Sequence, residues 1–129
     1  MAVAAGSAEN AYHTNTNGVY PKRGDDRGYA RWHGYIRGWA LTDSRGRFEF
    51  ETIRPGTYPT RAEPAHVHFE IRPPGTDGST VDDLVAADDP LVNARYRAAV
   101  RDRGGSGIAS FTRDAAGVWH ARRDIVLRR

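Results

Sequence analysis

Turn-forming residues divide this sequence into short runs, and that spacing limits the folds it can adopt. The 129 residues include 14 glycines and 7 prolines, and several of the short runs between them alternate apolar and charged side chains. Runs of this length are typical of β-strands, and frequent turns are typical of all-β domains. The chain is long enough for one domain with one modest core. We therefore predict a single β-sandwich domain, residues 1–129, with long functional loops.

Two strands are the clearest. In RFEFET, residues 47–52, the two phenylalanines would share one face and the two glutamates the other. In HVHFEIR, residues 66–72, the apolar side chains would form a buried face and leave His66 and His68 on the opposite one. Further strands are predicted at residues 34–41 and in a terminal hairpin of residues 108–113 and 118–127, and another strand should end within residues 12–20.

One helix is predicted, after Asp89. Asp89 is a suitable N-cap, Pro90 suits the first helical position, and the double glycine at residues 104–105 is a stop signal. Residues 21–33 are expected to form a connecting loop.

The composition excludes several classes of function. The chain has no cysteine, so it cannot form disulfides, thiolate nucleophiles or cysteine-ligated metal sites. Its formal charge is +3, but the arginines are scattered among acidic residues, which argues against a nucleic-acid partner. No apolar run approaches the roughly 20 residues that span a bilayer, and the first ten residues lack the basic region of a secretory signal. We therefore expect a soluble, cytoplasmic protein with no membrane partner.

The histidine pair in EPAHVHFEI, residues 63–71, is the first sign of chemistry. On a strand, side chains at i and i+2 share a face with their Cα atoms roughly 6–7 Å apart, so His66 and His68 could bind a common ion. Two phenols could join them, since Tyr58 lies in the turn just before this strand and Tyr20 in the NTNGVYP loop. A trivalent cation can displace the phenol protons, and ferric iron suits such a ligand set. The alternative is a polar strand face in contact with water.

Several stretches together resemble a known family. YHTNTNGVYP, RGWALTDSRGRFEFETIRPGTYP and PAHVHFEI occur in the order and at the spacing found in the intradiol ring-cleavage dioxygenases, which include the catechol and protocatechuate dioxygenases. DDLVAADDPL and RGGSGI look like a short bacterial branch of that family, and the resemblance covers roughly residues 11–127. It implies a mainly β, prealbumin-like antiparallel β-sandwich with one short helix and long loops. The family normally has more chain before YHTN, so the sequence is expected to be truncated at its N-terminus.

The resemblance also implies a function. Tyr20, Tyr58, His66 and His68 would be the four ligands of a ferric cofactor, Fe(3+). Tyr58 would be displaced when the substrate binds and would take up a substrate proton. The enzyme would cleave a catechol-like aromatic diol between its hydroxylated carbons, with both atoms of O2 entering a muconate-type diacid.

The sequence departs from the family at one position of the expected site. The well-known enzymes have an arginine three residues before the first histidine, where this chain has Glu63. A carboxylate there would oppose binding of an anionic substrate. Arg61 is therefore expected to supply the missing positive charge, with Arg37 and Arg54 as further candidates that are better explained as solvated surface residues.

Other readings of the sequence remain open. One is a non-catalytic prealbumin-like β-sandwich binding module whose histidines lie at the surface. Another is a zinc or ferrous protein, which the lack of an acidic residue at matching spacing disfavours. A truncated sheet would expose edge strands, which favours pairing with a second copy of the chain.

The remaining histidines and two tryptophans have structural explanations. His13 and His33 are expected in loops or at the surface, although either could contact the substrate. His120 should be structural. Trp32 and Trp39 could line a pocket or pack in the core.

Overall fold

The computed structural model describes residues 5–127, which form short strands, two short helices and long loops. In chain order the elements are β1 (Ala8–His13), α1 (Tyr29–His33), β2 (Arg37–Leu41), β3 (His66–Arg72), β4 (Ser79–Thr80), β5 (Leu84–Ala86), α2 (Ala94–Ala99), β6 (Ile108–Ala109), β7 (Thr112–Arg113) and β8 (Trp119–His120). The main sheet has the order β2-β1-β3-β5-β6, with β4 also paired to β3, while β7 and β8 form a second, two-stranded sheet. All pairs are antiparallel except β5 with β6. Neither helix is long and apolar enough to cross a membrane.

The core lies on one face of the central strand β3. As predicted, Val67, Phe69 and Ile71 are buried and alternate with the two histidines on the opposite face. Ala11 of β1 lies opposite Phe69, and Val81 completes the buried cluster. Burial of each large apolar side chain contributes about 1.5–3 kcal/mol, so this cluster is what holds β3 in place.

The segment 47–52 is not a strand, so this prediction was wrong. The carboxylate of Asp43 accepts hydrogen bonds from the N–H groups of Arg45 and Arg47, and the resulting turn directs the chain over the core face of the main sheet. Phe48 and Phe50 then pack against Phe69, with ring centroids 6.0 and 6.2 Å from it. The alternating pattern therefore reflects packing of two side chains and not a hydrogen-bonded ladder.

The helix is shorter than predicted and starts later. Asn93 is its N-cap and accepts a hydrogen bond from the Tyr96 N–H at 3.0 Å. Asp89 instead closes a turn, in which its Oδ1 accepts from the Leu91 N–H at 2.9 Å. The helix ends at Ala99, because the extended backbone of the C-cap Val100 stops it well before the double glycine. A second short helix, α1, occupies the end of the segment that was expected to be a loop.

β1, β2, β6, β7 and β8 agree with the predicted strand segments but are shorter where bounds were given, whereas β4 and β5 were not predicted. The predicted terminal hairpin keeps only the pair β7–β8, because Ile108–Ala109 joins the main sheet beside β5 and residues 121–127 run on without strand pairing. Ile125 and Leu127 pack against the core instead. β2 forms one edge of the main sheet, where Trp39 is 52% exposed, so this tryptophan is not a core residue. Trp32 is exposed as well.

Candidate metal centre

The histidine pair projects from the face of β3 that is opposite the core. His66 is buried and His68 is half-buried. Their rings are nearly perpendicular, with centroids 4.5 Å apart, and their Nε2 atoms are 3.1 Å apart. The strand geometry therefore turns the same atom of both imidazoles towards one point.

Two loops bring the phenols to that point, and glycine allows the loops to touch. A Cβ atom on Gly18 would lie 1.8 Å from the carbonyl oxygen of Thr57, and one on Gly56 would lie 2.2 Å from that of Thr16. Gly18 also has a φ of 75°, which other residues rarely adopt. The Gly56 N–H donates to the Asn15 carbonyl at 2.9 Å. This contact between the two loops is what sets the phenols of Tyr20 and Tyr58 side by side.

The four predicted ligand atoms form a closed quadrilateral. The phenol oxygens of Tyr20 and Tyr58 are 2.7 Å apart, Tyr58 Oη is 3.0 Å from His66 Nε2, and Tyr20 Oη is 3.0 Å from His68 Nε2. The fourth side is the 3.1 Å contact between the imidazoles. Ligands about 2.0–2.1 Å from a common ion are roughly 2.9–3.3 Å from their neighbours, which is close to these separations. Ordinary hydrogen bonds have similar lengths, so these distances alone do not distinguish a metal site from a network of hydrogen bonds.

The tautomers of the histidines distinguish a metal site from a network of hydrogen bonds. His66 Nδ1 is 2.7 Å from the Pro64 carbonyl oxygen, and His68 Nδ1 is 2.9 Å from Oδ1 of Asp83. Both partners are acceptors, so each neutral ring carries its proton on Nδ1 and a lone pair on Nε2. Each protonated phenol can donate to the Nε2 beside it, but the close contacts between the two Nε2 atoms, 3.1 Å, and between the two phenol oxygens, 2.7 Å, then have no proton between them. The donor set therefore fits a metal ion better than it fits a network of hydrogen bonds.

Burial keeps the two phenols protonated in the absence of a cation. Desolvation raises the pKa of Tyr20, and its contact with Tyr58 adds to the effect. Desolvation also raises the pKa of Tyr58, as do the negative charges of Glu63 and Asp83. A phenolate at either position therefore requires a strongly charged ion nearby.

The arginine candidates differ in their distance from this centre. The Arg37 guanidinium lies 4.6 Å from the centre of the Tyr12 ring, which stacks on His68 with a centroid separation of 4.7 Å. Arg54 instead stacks on Phe111 and Trp119 at the terminal hairpin.

Arg61 lies in the turn that follows Tyr58. Its N–H donates to the Tyr58 carbonyl at 2.8 Å, and its side chain is exposed. Glu63 is exposed too. The role expected for Arg61 stays a prediction.

A carboxylate lies beside the histidines, contrary to expectation. Asp83 precedes β5, and pairing of β5 with β3 places it next to His68. Ligand atoms of His66, His68 and Asp83 all lie within 4.8 Å of one another. Sequence spacing did not reveal this residue because its position depends on the pairing of two strands.

The structure separates the two other histidines whose positions the sequence left open. His13 is buried on the core face, where its Nε2 is 2.8 Å from Thr52 Oγ1, so its role is structural and the expected loop or surface position is wrong. His33 is half-buried and lies against Tyr20 and His68, with ring centroids 5.4 and 5.8 Å away. Burial lowers its pKa, as do His68 and the positive charges of Arg37 and Lys22.

Comparison with known proteins gives the family. Residues 4–128 match the family model described as Dioxygenase. The chain belongs to the dioxygenase family. The resemblance stated from its sequence motifs is therefore confirmed. No curated protein matches the sequence.

Solved dioxygenase structures share the fold. The dioxygenase domain of a dioxygenase and carbohydrate-binding protein fusion from Streptomyces sp. SirexAA-E is 26% identical, with a TM-score of 0.68 over 95% of this chain and 68% of that one. Catechol 1,2-dioxygenase from Pseudomonas arvilla C-1 is 26% identical, with a TM-score of 0.60 over 91% of this chain and 44% of that one. The 3-chlorocatechol 1,2-dioxygenase from Rhodococcus opacus 1CP, at 22% identity and a TM-score of 0.64, covers 91% of this chain and 50% of that one, and supports the fold alone. The predicted prealbumin-like β-sandwich is confirmed, although this dioxygenase chain spans only about half the length of the two catechol enzymes.

Proposed function

We propose that this chain is a non-heme Fe(III) intradiol dioxygenase of one domain, which cleaves a catechol-like aromatic diol with O2 to a muconate-type diacid. The observation that carries the proposal is the pair of Nε2 atoms, 3.1 Å apart, with two phenol oxygens beside them. Family membership and the catechol enzymes among its structural relatives support the same function.

The ligand chemistry supports ferric iron. Tyr20, Tyr58, His66 and His68 would hold the ion, and two phenolates with two neutral imidazoles would leave Fe(III) a single positive charge. Hard anionic oxygens favour the ferric over the ferrous state. When bound, the iron supplies a Lewis acid that draws electron density from an aromatic diol and makes the diol reactive towards triplet O2.

The chain's own residues would bind the diol and accept one proton from it. Tyr58 lies beside a turn, and burial and nearby carboxylates raise its pKa, so its phenolate oxygen would be the group that accepts a proton from a substrate hydroxyl. Arg61 would offset negative charge on the bound diol from the turn that follows Tyr58. Both oxygen atoms of O2 enter the product, so the reaction needs no external reductant.

A divalent metal site is a second candidate because His66, His68 and Asp83 form a group of two imidazoles and a carboxylate. However, Asp83 contacts Nδ1 of His68, whereas the phenols contact Nε2. A carboxylate at that position is more typical of a group that orients a histidine ligand. The binding-module alternative is weaker, since it requires surface histidines and His66 is only 6% exposed.

The test is metal analysis and visible absorption of protein purified without added metal. Phenolate bound to Fe(III) absorbs visible light, so the iron-loaded protein should be wine-red, and Tyr20→Phe and Tyr58→Phe should each shift or bleach the band. Tyr35→Phe, which removes a hydroxyl from an exposed tyrosine, is the matched control. A colourless iron-loaded protein, or a band that neither ligand variant changes, would contradict the ligand assignment.

Activity is tested separately. Oxygen consumption is measured with a panel of catechols, and the products are identified by mass. One O2 consumed per diol, with both atoms retained in a ring-opened diacid, is the expected result. No uptake with any catechol by an iron-loaded, coloured protein would refute the enzymatic function.

A further inference from the structure

His33 is held beside the candidate metal centre by the loop that carries Tyr20. It is the last residue of α1, and the next residue, Gly34, has a φ of 69°. A Cβ atom on Gly34 would lie 2.5 Å from the Pro21 carbonyl oxygen, which also accepts the N–H of Tyr35 at 3.0 Å. The end of α1 is therefore tied to the residue that follows Tyr20.

The ring of His33 packs on one side of the quadrilateral of ligand atoms. It meets Tyr20 edge-on, with centroids 5.4 Å apart, and lies 5.8 Å from the ring of His68. The Tyr12 ring, which stacks on His68, is 4.8 Å from it. His33 thus lies on the side of the quadrilateral formed by Tyr20 Oη and His68 Nε2.

His33 is polar but unsatisfied. Its Nδ1 is buried, and within residues 5–127 it has no hydrogen-bond partner. A buried ring nitrogen without a partner destabilises the folded protein, so its presence needs an explanation, such as a bond to a ligand or to water. Packing alone would be served equally well by a phenylalanine, which has no such atom.

We propose that His33 is a substrate-binding residue whose Nδ1 hydrogen-bonds one oxygen of the aromatic diol, on the side of the site formed by Tyr20 and His68. This inference rests on the proposed function. The imidazole can accept from a diol hydroxyl or donate to its deprotonated oxygen, according to its tautomer. The diol would thereby be bound by His33 as well as by the metal.

Two substitutions separate hydrogen bonding from packing. His33→Phe keeps an aromatic ring against Tyr20 but removes both ring nitrogens, whereas His33→Asn keeps a polar atom near the position of Nδ1 but loses the ring. The iron-loaded proteins are titrated with catechol, and the dissociation constant is read from the change in the visible spectrum. His120→Phe, which removes an exposed imidazole on β8, is the control.

We expect His33→Phe to weaken catechol binding about tenfold, the effect of one lost hydrogen bond, with the visible band of the substrate-free protein unchanged. His33→Asn should retain more of the affinity than His33→Phe, and His120→Phe should bind as the wild type does. The inference is overturned if His33→Phe binds catechol like the wild type, if His33→Asn is the weaker binder of the two, or if His33→Phe loses the substrate-free band. Failure of the proposed function looks different, because the wild type itself would then show no visible band or no response to catechol.

Discussion

Replacing Asp83 tests how far the candidate metal centre depends on a single carboxylate. Asp83 accepts the Nδ1 proton of His68 at 2.9 Å and so holds the imidazole with its Nε2 lone pair towards the two phenols. An asparagine keeps an acceptor oxygen but removes the charge, whereas an alanine removes both. The two variants therefore separate orientation of the ring from electron donation through it.

The size of the effect follows from the exposure of the pair. A hydrogen bond to a charged group contributes about 1.5–3 kcal/mol when desolvated. The side chains of His68 and Asp83 are 20% and 32% exposed, so solvent reduces this value and ~1.5 kcal/mol is the appropriate magnitude. Asp83→Ala should therefore weaken iron binding about tenfold, and Asp83→Asn by about threefold.

The assay is competition with a chelator, together with the visible spectrum. Loss of the carboxylate makes His68 a poorer electron donor, so the iron becomes more electron-poor and the phenolate band should move to longer wavelength in both variants. Asp77→Asn, an exposed acid in the loop after β3, is the control. Unchanged affinity and spectrum in Asp83→Ala would refute the orienting role, and complete loss of metal in Asp83→Asn would indicate that Asp83 is itself a ligand.

Three further predictions concern the loops, the phenols and the fold. Gly18→Ala should lower the free energy of unfolding by ~1–3 kcal/mol and bleach the iron band, because its Cβ would overlap Thr57. Gly75→Ala, with the same φ of 75° and open space around it, is the control for backbone strain. Equal losses of stability in the two variants would contradict the argument from the Thr57 contact. Iron binding should release protons, and the affinity for iron should rise with pH between about 6 and 8, since burial keeps both phenols protonated until the ion binds. Chelator competition at several pH values measures this affinity. An affinity that does not change with pH would exclude phenolate ligands. Burial of Glu9 raises its pKa from 4.5 to about 7, so between these pH values the folded state binds a proton that the unfolded state does not. The metal-free protein should therefore lose up to ~3 kcal/mol of stability as pH rises from 4.5 to 7. Urea unfolding should show this pH dependence in the wild type and not in Glu9→Gln.

The sequence predicted best what local periodicity determines. The strand His66–Arg72 has its predicted bounds and faces, because strict alternation leaves only one register that buries Val67, Phe69 and Ile71. The position of Tyr58 just before this strand was predicted from a local turn motif.

Features that depend on tertiary contacts were missed. The register of β5 against β3 determines where Asp83 lies, and no spacing along the chain encodes that register. Residues 47–52 alternate like a strand because their phenylalanines pack on Phe69, which requires no backbone pairing. The N-cap of the helix is Asn93 and not Asp89, since the side chain of Asp89 is already used by the preceding turn.

The close approach of the two glycine loops has a consequence for the timing of the proposed reaction. The backbone that carries Tyr58 is held by Gly56 and Thr57 against the loop that carries Tyr20, so this part of the chain is not a hinged flap. Movement of the Tyr58 phenol away from the site would then require rotation about side-chain bonds only. Such rotations are far faster than the microsecond-to-millisecond opening of a lid, so admission of the substrate should not limit turnover.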